Sequence, residues 1–111
     1  MNTSLGYRKK AQPKGLNQYR QNDILNASPT ELILKLYDLA IVSIKKKDIS
    51  KANRVLTELI SALNFDYQEV ALGFFRLYRY CQEHLIQGNT QEPLQILQQL
   101  RETWARAFNL D

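Results

Sequence analysis

The side chains most suited to catalysis are Cys81, the only cysteine, and His84, the only histidine. Their spacing of three residues would place a thiol beside an imidazole on one face of a helix. Such a pair can act as an activated nucleophile, but two ligands cannot form a four-ligand zinc site. Cys81 also falls on the apolar stripe of its predicted helix, where a buried cysteine is ordinarily inert. We therefore interpret Cys81 as a core residue.

Other catalytic patterns are missing from the sequence. The carboxylates are scattered, and no Glu-x-x-His pair supports a carboxylate-bridged metal centre. The sequence contains no glycine-rich phosphate loop and no nucleophile elbow. We expect a binding protein that is not an enzyme and that needs no metal and no cofactor.

The positive charge is concentrated at the N-terminus. The formal net charge is +4, yet the bases before residue 21 contribute +5, and residues 21–111 carry ten bases and eleven acids. The run 45–47 of three lysines has no interleaved aromatic residue, and cations at a helix end favour the helix dipole. We therefore expect no nucleic-acid binding. No apolar stretch approaches ~18 residues, so we expect no membrane insertion.

The segment Ser28-Pro29-Thr30-Glu31 is the clearest local signal in the chain. Ser28 and Glu31 can form a capping box, and Pro29 suits the first helical position. Further helices are predicted over about 50–63, over about 67–87, and from the region of Pro93 to Phe108. Gly88 is predicted to end the third of these helices.

These elements predict an all-α fold, an antiparallel four-helix bundle with a short N-terminal helix or arm. Residues 1–16 are basic and contain Gly6, Pro13 and Gly15, so we interpret them as a flexible tail. Residues 17–111 form the predicted bundle domain. The absence of an apolar h-region in the first sixteen residues argues against a signal peptide.

Two predicted helices carry more apolar residues than one core-facing stripe requires. In the helix from Pro29 to about Lys47, apolar side chains cover an arc of roughly 220° at ~100° per residue.

The main stripe of the helix over 67–87, which we expect to face the core, contains Tyr67, Val70, Ala71, Phe74, Leu77, Tyr78, Cys81 and Leu85. Leu72, Phe75 and Ile86 lie off that stripe. An N-terminal arm or neighbouring helices would account for these residues, and so would a groove that binds a partner helix. The candidate binding residues are Ile24, Leu34, Tyr37, Ile41, Ile44, Leu72, Phe75 and Ile86.

Several segments together resemble one known family. The chain resembles the flagellar secretion chaperone FliS family in six segments that occur in the same order. They are Tyr19-Arg20-Gln21-Asn22, 27–32, Leu36-Tyr37-Asp38, 59–66, 77–80 and 100–104. The resemblance extends over about 19–108. Compared with the family, the two helices of the first hairpin look about two turns shorter, and the loss is equal in both.

The resemblance implies a cytoplasmic export chaperone. Such a chaperone binds the disordered C-terminal region of flagellin as a helical segment, prevents its polymerisation and delivers it to the type III export apparatus. Tyr19 falls where the family has an arm tyrosine implicated in client binding. An anti-sigma factor, an export gate component or another secreted protein remains an alternative partner.

Overall fold

The computed structural model describes residues 28–110, and all regular structure in this range is helical. We number the four helices in chain order: α1 Pro29–Lys45, α2 Ile49–Ser61, α3 Gln68–Ile86 and α4 Gln91–Phe108. The predictions for residues 1–27, including the basic tail, the arm, Tyr19 and Ile24, lie outside the described residues.

The start of α1 follows the sequence signal closely. The Ser28 Oγ accepts a hydrogen bond from the Glu31 amide at 3.2 Å, and the Glu31 Oε1 accepts one from the Ser28 amide at 2.9 Å. The predicted capping box is therefore confirmed, with Pro29 at the first helical position. At the start of α2, Asp48 is the capping residue, and its carboxylate accepts a hydrogen bond from the Lys51 amide.

The end of α1 differs from the prediction by two residues. The helix ends at Lys45 rather than near Lys47, because Lys47 adopts a left-handed conformation with φ of 63°. The Lys47 amide then donates to the carbonyl of Ile44, and the Asp48 amide donates to that of Ser43. This is the Schellman arrangement, in which a residue with positive φ satisfies the last carbonyls of a helix.

The end of α3 has the same arrangement and confirms the prediction for Gly88. Gly88 has φ of 92°, and the Asn89 amide donates to the carbonyl of His84. A residue without a Cβ adopts this conformation at little cost, whereas Lys47 has no such advantage. Tight turns of this kind keep the loops α1–α2 and α3–α4 short.

The four helices form a bundle in which α1 packs on α2 and α4, and α3 packs on the same two helices. Because α1 contacts two neighbours, its wide apolar arc is largely used within the bundle. Twelve buried residues form the shared core: Tyr37, Ala40, Ile41, Ile44, Ala52, Val55, Leu56, Leu59, Tyr78, Cys81, Leu85 and Leu97.

Candidate binding groove

An open apolar groove of about 480 Å³ lies where one end of α3 meets α1, α2 and α4. We call it the α3 groove. All of its lining residues except Asn64 are apolar or aromatic: Ile33, Tyr37, Leu59, Ala62, Leu63, Asn64, Tyr67, Val70, Ala71, Phe74, Tyr78 and Trp104. Concave apolar surface of this composition is typical of sites that bind the apolar face of a helix.

The floor of the groove contains a buried pair of tyrosines. The phenol oxygens of Tyr37 and Tyr78 are 2.7 Å apart, and both side chains are almost fully buried. Burial raises the pKa of both phenols above the ordinary value, since it disfavours the charged phenolate. The pair therefore stays neutral at physiological pH, and each hydroxyl has the other as its hydrogen-bond partner.

Trp104 forms part of the wall on the α4 side. Its indole N–H donates a 2.8 Å hydrogen bond to the Thr30 carbonyl, near the start of α1. Its ring meets Tyr37 edge-on at 6.3 Å and lies 4.8 Å from Phe108. The side chain is half-buried, packs against the core and also contributes to the groove.

The mouth of the groove is formed by the start of α3. The sequence placed Tyr67 and Val70 on the core stripe, and that expectation is wrong, since Tyr67 is 69% and Val70 is 62% exposed. The first turn of α3 follows directly on the α2–α3 loop, and α2 has already ended at Ser61. The nearby Phe65 is also exposed. Tyr67 and Val70 therefore present exposed apolar surface at the entrance.

The candidate binding residues separate into two groups. The four candidates on α1 are buried in the bundle: Leu34, Tyr37, Ile41 and Ile44. Of these four, only Tyr37 lines the groove. Of those on α3, Ile86 is 72% exposed, Leu72 is exposed and Phe75 is half-buried, and none of the three lines the groove. Their role in binding remains a prediction. Periodicity missed Val70 and Tyr67, because it does not show where a neighbouring helix ends.

Cys81 and His84 are not arranged for catalysis. Cys81 is fully buried, and burial raises the pKa of its thiol to about 12, so that the reactive thiolate is scarce. The His84 ring stacks on Tyr80, and its Nδ1 accepts a 3.0 Å hydrogen bond from the side-chain amide of Asn89. Within residues 28–110, no cluster of three possible metal ligands occurs.

None of the four helices is long and apolar enough to cross a bilayer, as judged over the described part of the chain. A four-helix bundle with an open apolar groove has the architecture of small helical proteins that bind other proteins through apolar surface. The family model for the flagellar protein FliS matches residues 12–110, so the chain belongs to the FliS family. No curated protein and no solved structure matches the chain significantly.

FliS is a family of flagellar export chaperones rather than of enzymes. Its partners are flagellar proteins such as flagellin. The resemblance noted in the sequence is thereby confirmed at the level of the family.

Proposed function

We propose that this protein is a cytoplasmic chaperone that binds the disordered C-terminal region of flagellin, prevents premature polymerisation and delivers flagellin to the type III export apparatus. Membership of the FliS family supports the proposal. The observation that carries it is the open α3 groove, with Tyr67 and Val70 exposed at its mouth. A monomeric protein seldom leaves a concave apolar surface open unless it has a partner.

The physical requirements of a disordered client agree with this site. A segment that folds on binding loses conformational entropy, and apolar contact must compensate for that loss. In the groove, the floor tyrosines Tyr37 and Tyr78 are buried and hydrogen-bonded to each other, and the Trp104 side chain is hydrogen-bonded to α1. A preformed site reduces the entropy lost by the chaperone itself.

The antiparallel order of the helices is part of the same proposal. Trp104, near the end of α4, bonds to Thr30 at the start of α1, and Arg101 pairs with Asp38 about two turns further along α1. These two contacts support an antiparallel packing of α1 against α4. With that order, the short loops α1–α2 and α3–α4 lie at the end of the bundle away from the groove.

Two valine variants test the groove. Val70→Asp places a charge at the groove mouth, where Val70 is exposed and tolerates the change. Val42→Asp is the matched control, because Val42 is 44% exposed on α1 and does not line the groove. Calorimetric titration with a synthetic flagellin C-terminal segment should show that Val70→Asp weakens binding at least about tenfold, roughly 1.4 kcal/mol.

Val42→Asp should bind the segment as the wild type does, and far-UV circular dichroism of the mixture should show helix gained by the client. Equal binding by wild type and Val70→Asp would show that the groove is not the client site. If the wild type does not bind the segment at all, flagellin is not the client. The alternative partners, an anti-sigma factor or an export gate component, would then be tested with the same two variants.

A further inference from the structure

Charged residues are distributed unevenly along α2 and its flanking segments. Residues 45–54 contain five bases and a single acid, Asp48, which caps α2. Residues 55–75 contain three acids and no base. The end of α2 nearest the α3 groove is therefore acidic, whereas its beginning is basic.

The three acids are neighbours in sequence of residues that line the groove. Glu58 lies one turn before Ala62 on α2, Asp66 precedes Tyr67, and Glu69 precedes Val70. All three side chains are exposed, and none takes part in a salt bridge within residues 28–110. We call Glu58, Asp66 and Glu69 the acidic rim.

Charges on the opposite side of the groove are already engaged. The Asp38 carboxylate accepts a 2.9 Å hydrogen bond from Arg101, and the Glu31 carboxylate accepts one from the Ser28 amide. Helix dipoles add little net field at the rim, since the negative end of α2 and the positive start of α3 oppose one another there.

Arg76, between the groove residues Phe74 and Tyr78 on α3, is exposed as well and takes part in no salt bridge within the described residues. It lies six residues beyond Val70, so the uncompensated charge at the mouth of the groove is that of the acidic rim.

We propose that the α3 groove selects amphipathic helical segments that carry a lysine or arginine within one turn of their apolar anchor residues, and that Glu58 and Glu69 bind that cation. This inference rests on the proposed function, since it specifies the client of the same groove. The long stems of lysine and arginine can cover apolar surface while the charged group stays at the wet edge. Such a side chain could lie over Val70 and reach the acidic rim.

The expected contribution is modest and depends on salt. Exposed ion pairs change affinity by about 1.4-fold to fivefold each, so two carboxylates together have a range of about twofold to 25-fold. We expect about threefold to tenfold, within that range, at low ionic strength. The Debye length falls from ~30 Å at 0.01 M to ~3 Å at 1 M, so the contribution should largely disappear in concentrated salt.

Two designed peptides test the proposal on the full chain. Both are 18-residue amphipathic helices of about the length of α3, identical except that two lysines beside the apolar face in one are glutamines in the other. The variant Glu58→Gln/Glu69→Gln removes two rim charges. The control Glu83→Gln/Glu102→Gln makes the same change in net charge at residues that do not line the groove, each in a weak pair with an arginine.

In low salt, the wild type and the control should bind the lysine peptide about threefold to tenfold more tightly than the glutamine peptide. Glu58→Gln/Glu69→Gln should bind the two peptides equally, and high salt should remove the preference of the wild type. An equal preference in the rim variant and the control would overturn the proposal, as would tighter binding by the rim variant.

The experiment separates this inference from the proposed function. One outcome is that the glutamine peptide binds, that Val70→Asp abolishes its binding, and that lysine gives no advantage. In that case the α3 groove is the binding site and only the proposed selectivity for a cation is wrong. If neither peptide nor the flagellin segment binds, both the groove and the selectivity fail.

Discussion

The hydroxyl groups of Tyr37 and Tyr78 form a 2.7 Å hydrogen bond between α1 and α3, two helices that each pack mainly on α2 and α4. The bond therefore joins helices that share few other contacts. It also lies in the floor of the α3 groove, so that it couples the stability of the bundle to the shape of the site.

Tyr78→Phe should destabilise the protein by about 1–2 kcal/mol, because the buried Tyr37 hydroxyl loses its partner. Tyr37→Phe/Tyr78→Phe should cost clearly less than the sum of the two single changes, since neither hydroxyl is then left unpaired. Urea denaturation of the four proteins measures both quantities. Additive effects would show that the two hydroxyls do not interact.

Alkaline pH should destabilise the bundle. Burial raises the pKa of Tyr37, Tyr78 and Cys81 in the folded protein, that of Cys81 to about 12 from an ordinary value of 9.0. Between the unfolded and folded pKa values, the unfolded chain loses protons that the folded chain keeps, so stability falls as pH rises. The loss should begin near pH 9 with the thiol and steepen above pH 10, by up to ~1.4 kcal/mol per pH unit for each group.

Denaturant midpoints measured between pH 8 and pH 11 give this slope. Tyr37→Phe/Tyr78→Phe should decline less steeply above pH 10. It should retain the contributions of the Cys81 thiol and of Tyr80, whose pKa is raised by its hydrogen bond to Glu92. If the double variant declined as steeply as the wild type, the alkaline loss would come from other groups.

Lys47→Gly should stabilise the protein by about 0.5–1 kcal/mol, because Lys47 has φ of 63° in a turn that favours glycine. Gly88→Ala is the converse test, since Gly88 has φ of 92° and no atom lies within 4 Å of where its Cβ would be. Its cost of about 1 kcal/mol would therefore be conformational rather than steric. Thermal unfolding should show opposite shifts, and shifts of the same sign would contradict the assignment of these two turns.

Ile41→Asp and Ile86→Asp should differ in their effect on folding. Ile41 is 8% exposed in the core, and a buried carboxylate without a partner should cost at least about 3 kcal/mol. Ile86 is 72% exposed, so its replacement should change stability by less than about 0.5 kcal/mol. Near-UV and far-UV circular dichroism during heating distinguishes them. A fully stable Ile41→Asp variant would mean that this part of α1 is accessible.

The sequence predicted the helices well where local chemistry determines their ends. Ser28 and Glu31 cap α1 as expected, and Gly88 ends α3. The predicted end of α1 was two residues too late. Lys47 adopts a left-handed conformation there, which its residue type does not indicate. Helix ends that depend on glycine can be predicted, whereas those set by tertiary packing cannot.

The binding surface was harder to predict. Periodicity correctly indicated that α1 and α3 carry excess apolar residues, but it could not show which neighbour covers each one. Ile41 and Ile44 are buried because α1 packs on two helices, while Val70 is exposed because it lies in the first turn of α3. Whether a neighbouring helix covers the start of α3 depends on the lengths of α2 and of the α2–α3 loop. The apolar pattern of α3 alone gives no information on those lengths.

The burial of Cys81 has a practical consequence for measuring motion. Its side chain is fully enclosed by the core, so a thiol-reactive reagent can reach the sulfur only when the helices separate. The rate at which Cys81 is labelled then reports opening of the bundle, without an introduced cysteine and without interference from a second thiol. A client that closes the α3 groove should slow this labelling in proportion to its occupancy.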